Sequence, residues 1–158
     1  HVYYLPDMMV AAKVMEMGIK LAEKAMGGAR ETKATVVMHA AEGDPHDIGK
    51  NIVKAMLENY GYEVIDMGKN VPVETVVKTV LEKRLRLVGL SALMTTTVAN
   101  MEETIRQLKK AIAENNLDCK IVVGGAVLTE DYAMKIGADY YSKDAMQTVA
   151  VAKEVFEK

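Results

Sequence analysis

The stretch Glu42-Gly43-Asp44-Pro45-His46-Asp47-Ile48-Gly49 sets one imidazole between carboxylates, with a proline and glycines close by. A carboxylate two residues before a histidine can accept the proton of one ring nitrogen. That fixes the tautomer and leaves the other nitrogen free to ligate a metal. A bare zinc takes three or four protein ligands, more than His46 can supply. Of the other histidines, His39 falls in an apolar run and His1 is terminal. A metal bound through His46 must therefore bring its own equatorial ligands. The same pair could form a proton-transfer dyad, with Ser91, Thr95, Thr96 and Thr97 as candidate nucleophiles but no recognisable oxyanion element. Asp44 could instead accept a phosphoryl group, with Lys143 as a loosely placed cation. A plain structural turn is the fourth reading, and the commonest one for a lone loop histidine.

These residues need a scaffold, and the pattern of the chain supplies one. From residue 33 short β-branched runs alternate with amphipathic helical segments. Strands are predicted at 35–40, 63–68, 85–93, 120–125 and 138–142, and helices at 48–60, 73–84, 98–115, 129–136 and 144–157. Strict alternation argues for an α/β fold, a flavodoxin-like (Rossmann-type) parallel sheet covered on both faces. With five such strands the favoured order is 2-1-3-4-5. Right-handed crossovers put every strand-to-helix loop on one edge, with the switch point between the first and third strands. The loops meeting there are "EGDPHDIG", "SALMTTT" and "GGA". Neither G-x-G-x-x-G nor G-x-x-x-x-G-K-[ST] follows a strand, so a phosphate cradle is disfavoured. Gly124 and Gly125 remove side chains where a bulky group could lie flat, or else form a tight turn. Asp47 is placed to cap the helix that follows it.

Residues 1–30 differ in character and read as a separate unit from 31–158. Pro6 suits a helix start and "GGAR" at 27–30 ends it, while Leu5, Met8, Met9, Val14, Met15, Ile19 and Leu21 spread around much of the wheel. So wide an apolar face must pack on something. The expectation is the last helix of a truncated helical element.

Composition narrows the classes further. A length of 158 residues suits one compact core, and half the residues are hydrophobic. A net charge of −2 with scattered basic residues argues against a nucleic-acid surface. No apolar run approaches the roughly 18 residues of a membrane span, and the start does not read as a signal peptide. A single cysteine, Cys119, excludes an internal disulfide framework and fits a cytoplasmic setting. The 12 methionines suggest a plastic core or an adaptable contact surface.

Taken together, the motifs resemble those of the cobalamin (corrinoid)-binding proteins, whose signature is Asp-x-His-x-x-Gly, Ser-x-Leu and Gly-Gly. Here it stands as Asp44 to Gly49, Ser91-Ala92-Leu93 after 41 residues, and Gly124-Gly125 after 30 more. The resemblance covers 33–158 and is closest to the corrinoid proteins of methyltransferase systems and the cobalamin domain of methionine synthase. It implies a cofactor bound base-off/His-on, with His46 as lower axial cobalt ligand and Asp44 on its distal nitrogen. Thr97 would extend the relay in place of a serine. Gly43, Pro45, Asp47, Ile48, Gly49, Ser91, Leu93, Thr95, Gly124, Gly125 and Ala145 would contact the cofactor, and Leu5 and Met8 would approach its upper face from the cap. The implied role is a methyl carrier, cycling between Co(I) and methyl-Co(III) and not catalytic alone. Its implied partners are a substrate:corrinoid methyltransferase, a corrinoid:acceptor methyltransferase serving tetrahydrofolate or a thiol, and a reductive activator protein. Neither nucleic acid nor membrane is expected as a partner. The alternatives are a mutase domain using adenosylcobalamin, which would lack the helical cap, and a cobalamin-dependent sensor.

Overall fold

The computed structural model describes residues 32–157 and, ahead of them, Asp7, Val10, Ala11, Lys13, Val14, Met15, Met17, Gly18, Leu21 and Ala22, all helical. Leu5 and Met8 lie outside the described residues. The chain runs β1 (Thr35–Ala40), α1 (Ile48–Asn59), β2 (Glu63–Gly68), α2 (Val73–Lys83), β3 (Leu87–Ser91), α3 (Val98–Glu114), β4 (Lys120–Gly124), α4 (Glu130–Lys135), β5 (Tyr140–Ser142) and α5 (Ala145–Phe156). The strands form one parallel sheet of order β2-β1-β3-β4-β5, the expected flavodoxin-like arrangement.

The predicted third strand, 85–93, is longer than β3. Arg84 turns left-handed at φ 47° and the Leu85 N–H closes onto Val80 O at 3.1 Å, so Leu85 completes the end of α2. At its other end Ser91 is the last ladder residue, and Thr95–Thr97 wind into a 3₁₀ turn that leads into α3. Asp47 holds the position before α1, but its carboxylate makes no capping bond. Its backbone, at φ −126° and ψ −2°, lacks the extended geometry that folds a capping side chain back over the first turn.

Alternate side chains along each strand face opposite sides of the sheet, and the two sides are filled differently. One side carries Val37, Val88, Leu90, Ile121 and Val123 against Val76 and Val80 of α2 and Met101, Ile105 and Leu108 of α3. The other side packs Val36, Met38, Leu87 and Val122 against Leu57 of α1, Tyr62, and Val149 and Ala152 of α5. Toward the loop edge, that second side changes. The cross-strand row Ala40, Ser91, Gly124, Ser142 sets four small residues side by side across β1, β3, β4 and β5. Large side chains are absent from that row, and space is left between it, α1 and α5. Cys119 is buried, and burial together with nearby Asp139 and Asp118 pushes its thiol up to about 12, leaving it inert. Among the described residues no helix is long and apolar enough to cross a membrane.

Candidate functional site

The loop after β1 is pinned from two neighbours. Gly43, at φ 82°, donates its N–H to Asn70 Oδ1 at 2.8 Å, and Asn100 Nδ2 donates to Glu42 O at 2.8 Å. This places Asp44 fully out of solvent. Its carboxylate accepts from five donors: the His46 N–H (2.9 Å) and His46 Nδ1 (2.8 Å) on Oδ1, and the Leu93 N–H (2.7 Å), the Met94 N–H (3.3 Å) and Thr97 Oγ1 (3.0 Å) on Oδ2. Burial by itself would raise the Asp44 pKa. The Leu93 and His46 N–H groups, the imidazole and the Thr97 hydroxyl outweigh it and hold the carboxyl down to about 2. Asp44 is therefore an anion at neutral pH and can only accept. His46 Nδ1 must carry the hydrogen, and in the neutral ring Nε2 is left with a bare lone pair. Thr97 has one hydroxyl hydrogen and two acceptors in reach, Asp44 Oδ2 and Met94 O at 2.8 Å.

The His46 side chain is 46% exposed and borders a cavity of about 640 Å³ between the sheet edge, α1 and α5. The row of small residues is its floor: Ser91, Gly124 and Ser142 all line it. Ile48, Gly49, Val53, Leu93, Val122, Gly125 and Ala145 complete much of the wall. A Cβ built on Gly49 would meet no protein atom, so the space beside it belongs to the cavity. By contrast, a Cβ on Gly124 would come within 2.9 Å of Ser142 O, and one on Gly125, at φ 136°, within 1.8 Å of Ala92 O. The glycine pair that closes the motif thus makes room first for the neighbouring backbone.

Several sequence-predicted residues converge on this cavity: His46, Ile48, Gly49, Ser91, Leu93, Gly124, Gly125 and Ala145. Gly43, Asp44 and Thr97 act behind it, holding the loop and the imidazole. Pro45 is exposed, and Thr95 is exposed in the 3₁₀ turn and does not line the cavity. Lys143 lines the cavity, but Asp44 is buried with its oxygens taken, which rules out a phospho-acceptor. Thr97 spends its hydrogen on Asp44 or Met94 rather than His46, so it is no activated nucleophile. Sequence reasoning missed Met38, Gly89, Ser142 and Lys50. Gly89 was legible, since an isolated glycine inside a strand marks close approach, here of Met38 Cε at 2.9 Å from its Cβ position. Lys50 is 1% exposed and bonded to Asp66 (2.5 Å) and Asn51 (2.7 Å).

Among the described residues no cluster of three His, Cys, Asp or Glu side chains could cage a metal ion. What the site offers is one oriented imidazole nitrogen at the mouth of an apolar cavity. Ser142 borders it, with its Oγ itself buried and without a partner. That set fits a large planar group that carries its own metal and a tail to fill the cavity. Comparison with known proteins points the same way. Residues 34–150 match the family model described as the B12 binding domain. The dimethylamine corrinoid protein 1 of Methanosarcina mazei is 43% identical over 154 residues, which are 96% of this chain and 70% of that protein. A cobalamin-binding protein from Desulfitobacterium hafniense superposes with a TM-score of 0.81 at 35% identity, covering 96% of this chain and 71% of its own. A chain of the methanol:cobalamin methyltransferase complex of Methanosarcina barkeri gives 0.80 at 34% identity, with 99% of this chain and 59% of its own covered.

Proposed function

This chain belongs to the family of B12-binding domains, with a cobalamin-type corrinoid as its cofactor, and from that premise we propose that it is a methyl carrier of a corrinoid-dependent methyltransferase system. The observation that carries this reading is the Asp44 carboxylate, held by five donors so that His46 presents Nε2 as a fixed, bare ligand. A bound corrinoid would supply a redox-active cobalt that accepts and gives up a methyl group. His46 Nε2 would ligate its cobalt, and the cavity lined by Ser91, Gly124 and Ser142 would hold its nucleotide tail. The buried Asp44 carboxylate, bonded to His46 Nδ1 at 2.8 Å, would keep the imidazole oriented toward the metal. Thr97 holds Asp44 from the far side at 3.0 Å, keeping the relay in line. The helical residues between Asp7 and Ala22 expose Val10, Val14, Met15, Met17 and Leu21, an apolar surface suited to the cap of the cofactor's upper face.

One partner methyltransferase would deliver the methyl group, a second would pass it to tetrahydrofolate or a thiol, and a reductive activator would restore the carrier after oxidation. Donor choice rests with the first partner. The likeness to a dimethylamine corrinoid protein makes methylated amines the first donors to test. The decisive measurement is the visible spectrum of the protein loaded with cobalamin in the Co(III) state. Replacing His46 by Ala is expected to move the absorption bands to those of a water-ligated corrinoid and to slow methyl transfer. An unchanged spectrum would remove His46 from the metal and the carrier reading with it.

A further inference from the structure

At the opposite edge of the sheet from His46, where the strands begin, a second cavity of about 620 Å³ opens beside the ends of α2 and α5. Four cationic side chains, Lys33, Lys83, Arg84 and Arg86, line it against one carboxylate, Glu63, in a chain whose net charge is −2. These cations are only partly compensated. Lys33 Nζ reaches Glu157 at 2.8 Å and an Arg86 guanidinium nitrogen reaches Asp118 at 3.3 Å. Lys83 and Arg84 have no ion-pair partner among the described residues. The backbone that carries the set is fixed. The Lys33 N–H donates to Gly61 O at 2.9 Å, the Leu85 N–H to Val80 O at 3.1 Å, and the Lys120 N–H to Arg86 O at 2.9 Å. Arg84 stands out among them. Three described residues other than glycine have a clearly positive φ: Asn70 at 55°, Asn116 at 49° and Arg84 at 47°. Asparagine tolerates left-handed backbone, whereas the β-carbon of an arginine is strained there. A positive charge would complement the dipole at the end of α2, but Lys83 in the last turn supplies one without any left-handed residue. Strain kept at the rim of a cavity points to a use for the side chain that bears it.

The lining also describes the ligand. Arginines and lysines gathered around one hollow suit a phosphate, which guanidinium forks hold through paired, charge-assisted hydrogen bonds. Glu63 opposes a polyanion that would fill the whole space. Its Oε2 accepts the Thr35 hydroxyl at 2.8 Å, while Oε1 has no donor among the described residues and is free to accept from a ligand hydroxyl. Leu85 and Phe156 make part of the wall apolar. We propose that this cavity binds a phosphate monoester of a hydroxyl-bearing body, a sugar phosphate or a nucleotide. Its phosphate would lie on Arg84 and the neighbouring cations, and one of its hydroxyls on Glu63. The site is independent of the corrinoid reading, since it lies at the other end of the strands and shares no lining residue with the His46 cavity.

The test is a titration of the full chain followed by backbone-amide NMR at constant ionic strength, with ribose phosphate, AMP, inorganic phosphate and ribose as probes. Both esters are expected to bind, and inorganic phosphate more weakly, with shifts confined to the strand starts and the turn from Lys83 to Arg86. Ribose is expected not to bind. Tighter binding of AMP than of ribose phosphate identifies a nucleotide, and equal binding a sugar phosphate. Arg84→Asn keeps a residue that tolerates the left-handed backbone and removes the charge. It is expected to weaken both esters about tenfold while the melting temperature stays equal or rises. Lys78→Asn alters the net charge equally, on the same helix where Lys78 pairs with Glu82 at 3.8 Å, and is expected to leave binding unchanged. Failure of both esters to bind, or equal losses in the two variants, overturns the assignment. So does binding of a polyglutamate peptide in place of the esters, which would make the hollow a seat for an acidic protein segment.

Discussion

The two sides of the sheet are built from the same strands and do opposite things. Against α2 and α3, branched and long side chains pack together, and Met101, Ile105 and Leu108 are at most 1% exposed. Against α1 and α5 the same dense packing holds only for the half of the strands away from the loops; beyond it the row Ala40, Ser91, Gly124, Ser142 leaves about 640 Å³ open. One side is a core. The other is a core with its upper half left out, and on the proposed reading the cofactor's tail would contribute there what side chains otherwise contribute. Residues on the packed side should therefore govern stability, and residues on the open side should govern affinity, even at some gain of stability in the cofactor-free protein.

The largest effect belongs to the packed side. Replacing Met101 by Ala empties a site that is 0% exposed and is expected to lower unfolding free energy by about 3 kcal/mol, seen as a lower urea midpoint at unchanged slope. Corrinoid affinity of the folded protein should hardly change; a large affinity loss would break the division between the two sides.

Next comes a pH effect, also on the packed side. His39 pairs across with Leu90 in β3, is 0% exposed, and has a pKa lowered to about 4, by burial first, against the opposing bond to Ala40 O and with the nearby Lys50 charge adding to the shift. Below its ordinary value near 6.5, the unfolded chain takes up a proton that the folded chain refuses. Stability is thus complete above that value and falls by up to about 3 kcal/mol as pH drops toward 4. Asp44, whose pKa is also lowered by folding, loses stability in the same direction but at lower pH. Its contribution is present above the usual carboxylate range and is lost only as pH falls toward about 2. A His39→Leu variant should flatten the stability profile between pH 6.5 and 4 while leaving the steep acid limb in place. A slope that survives in the variant would place its origin elsewhere.

The smallest effect on stability is on the open side. Gly49 sits in the first turn of α1 with empty space where a Cβ would be. Gly49→Ala is expected to raise the stability of the cofactor-free protein by roughly 0.5–1 kcal/mol, from backbone entropy, while weakening corrinoid binding. Thermal melts and absorbance titration on one sample would report both signs. A variant that gains stability and keeps full affinity would show that the space beside Gly49 is not used by the cofactor.

Much of this plan was legible from residue order. The alternation of strand and helix patterns predicted the element order and the strand order 2-1-3-4-5, because a parallel sheet with right-handed crossovers has few alternatives. The loop that carries Asp44 and His46 was legible because a carboxylate two residues from an imidazole has a specific use. His39 and His46 show where that reading stops. Both are histidines of the same strand-and-loop unit, yet one is sealed in the packed side and the other stands half exposed at the cavity mouth. No local pattern separates them. Gly124 and Gly125 show the same limit, since what excludes a side chain there is the backbone of residues distant in the chain, Ser142 and Ala92.

The sequence alone determined the fold class and the family and singled out His46 as the candidate metal ligand, because periodicity and short-range spacing express local chemistry. Tertiary structure decided what no single segment contains. It brought Leu93, Met94 and Thr97 onto Asp44, aligned four small residues from four strands into a cavity floor, and left Ser142 without a partner. The reason is register: cross-strand neighbours are set by hydrogen bonding between segments far apart in the chain, and a cavity is a property of all of them together.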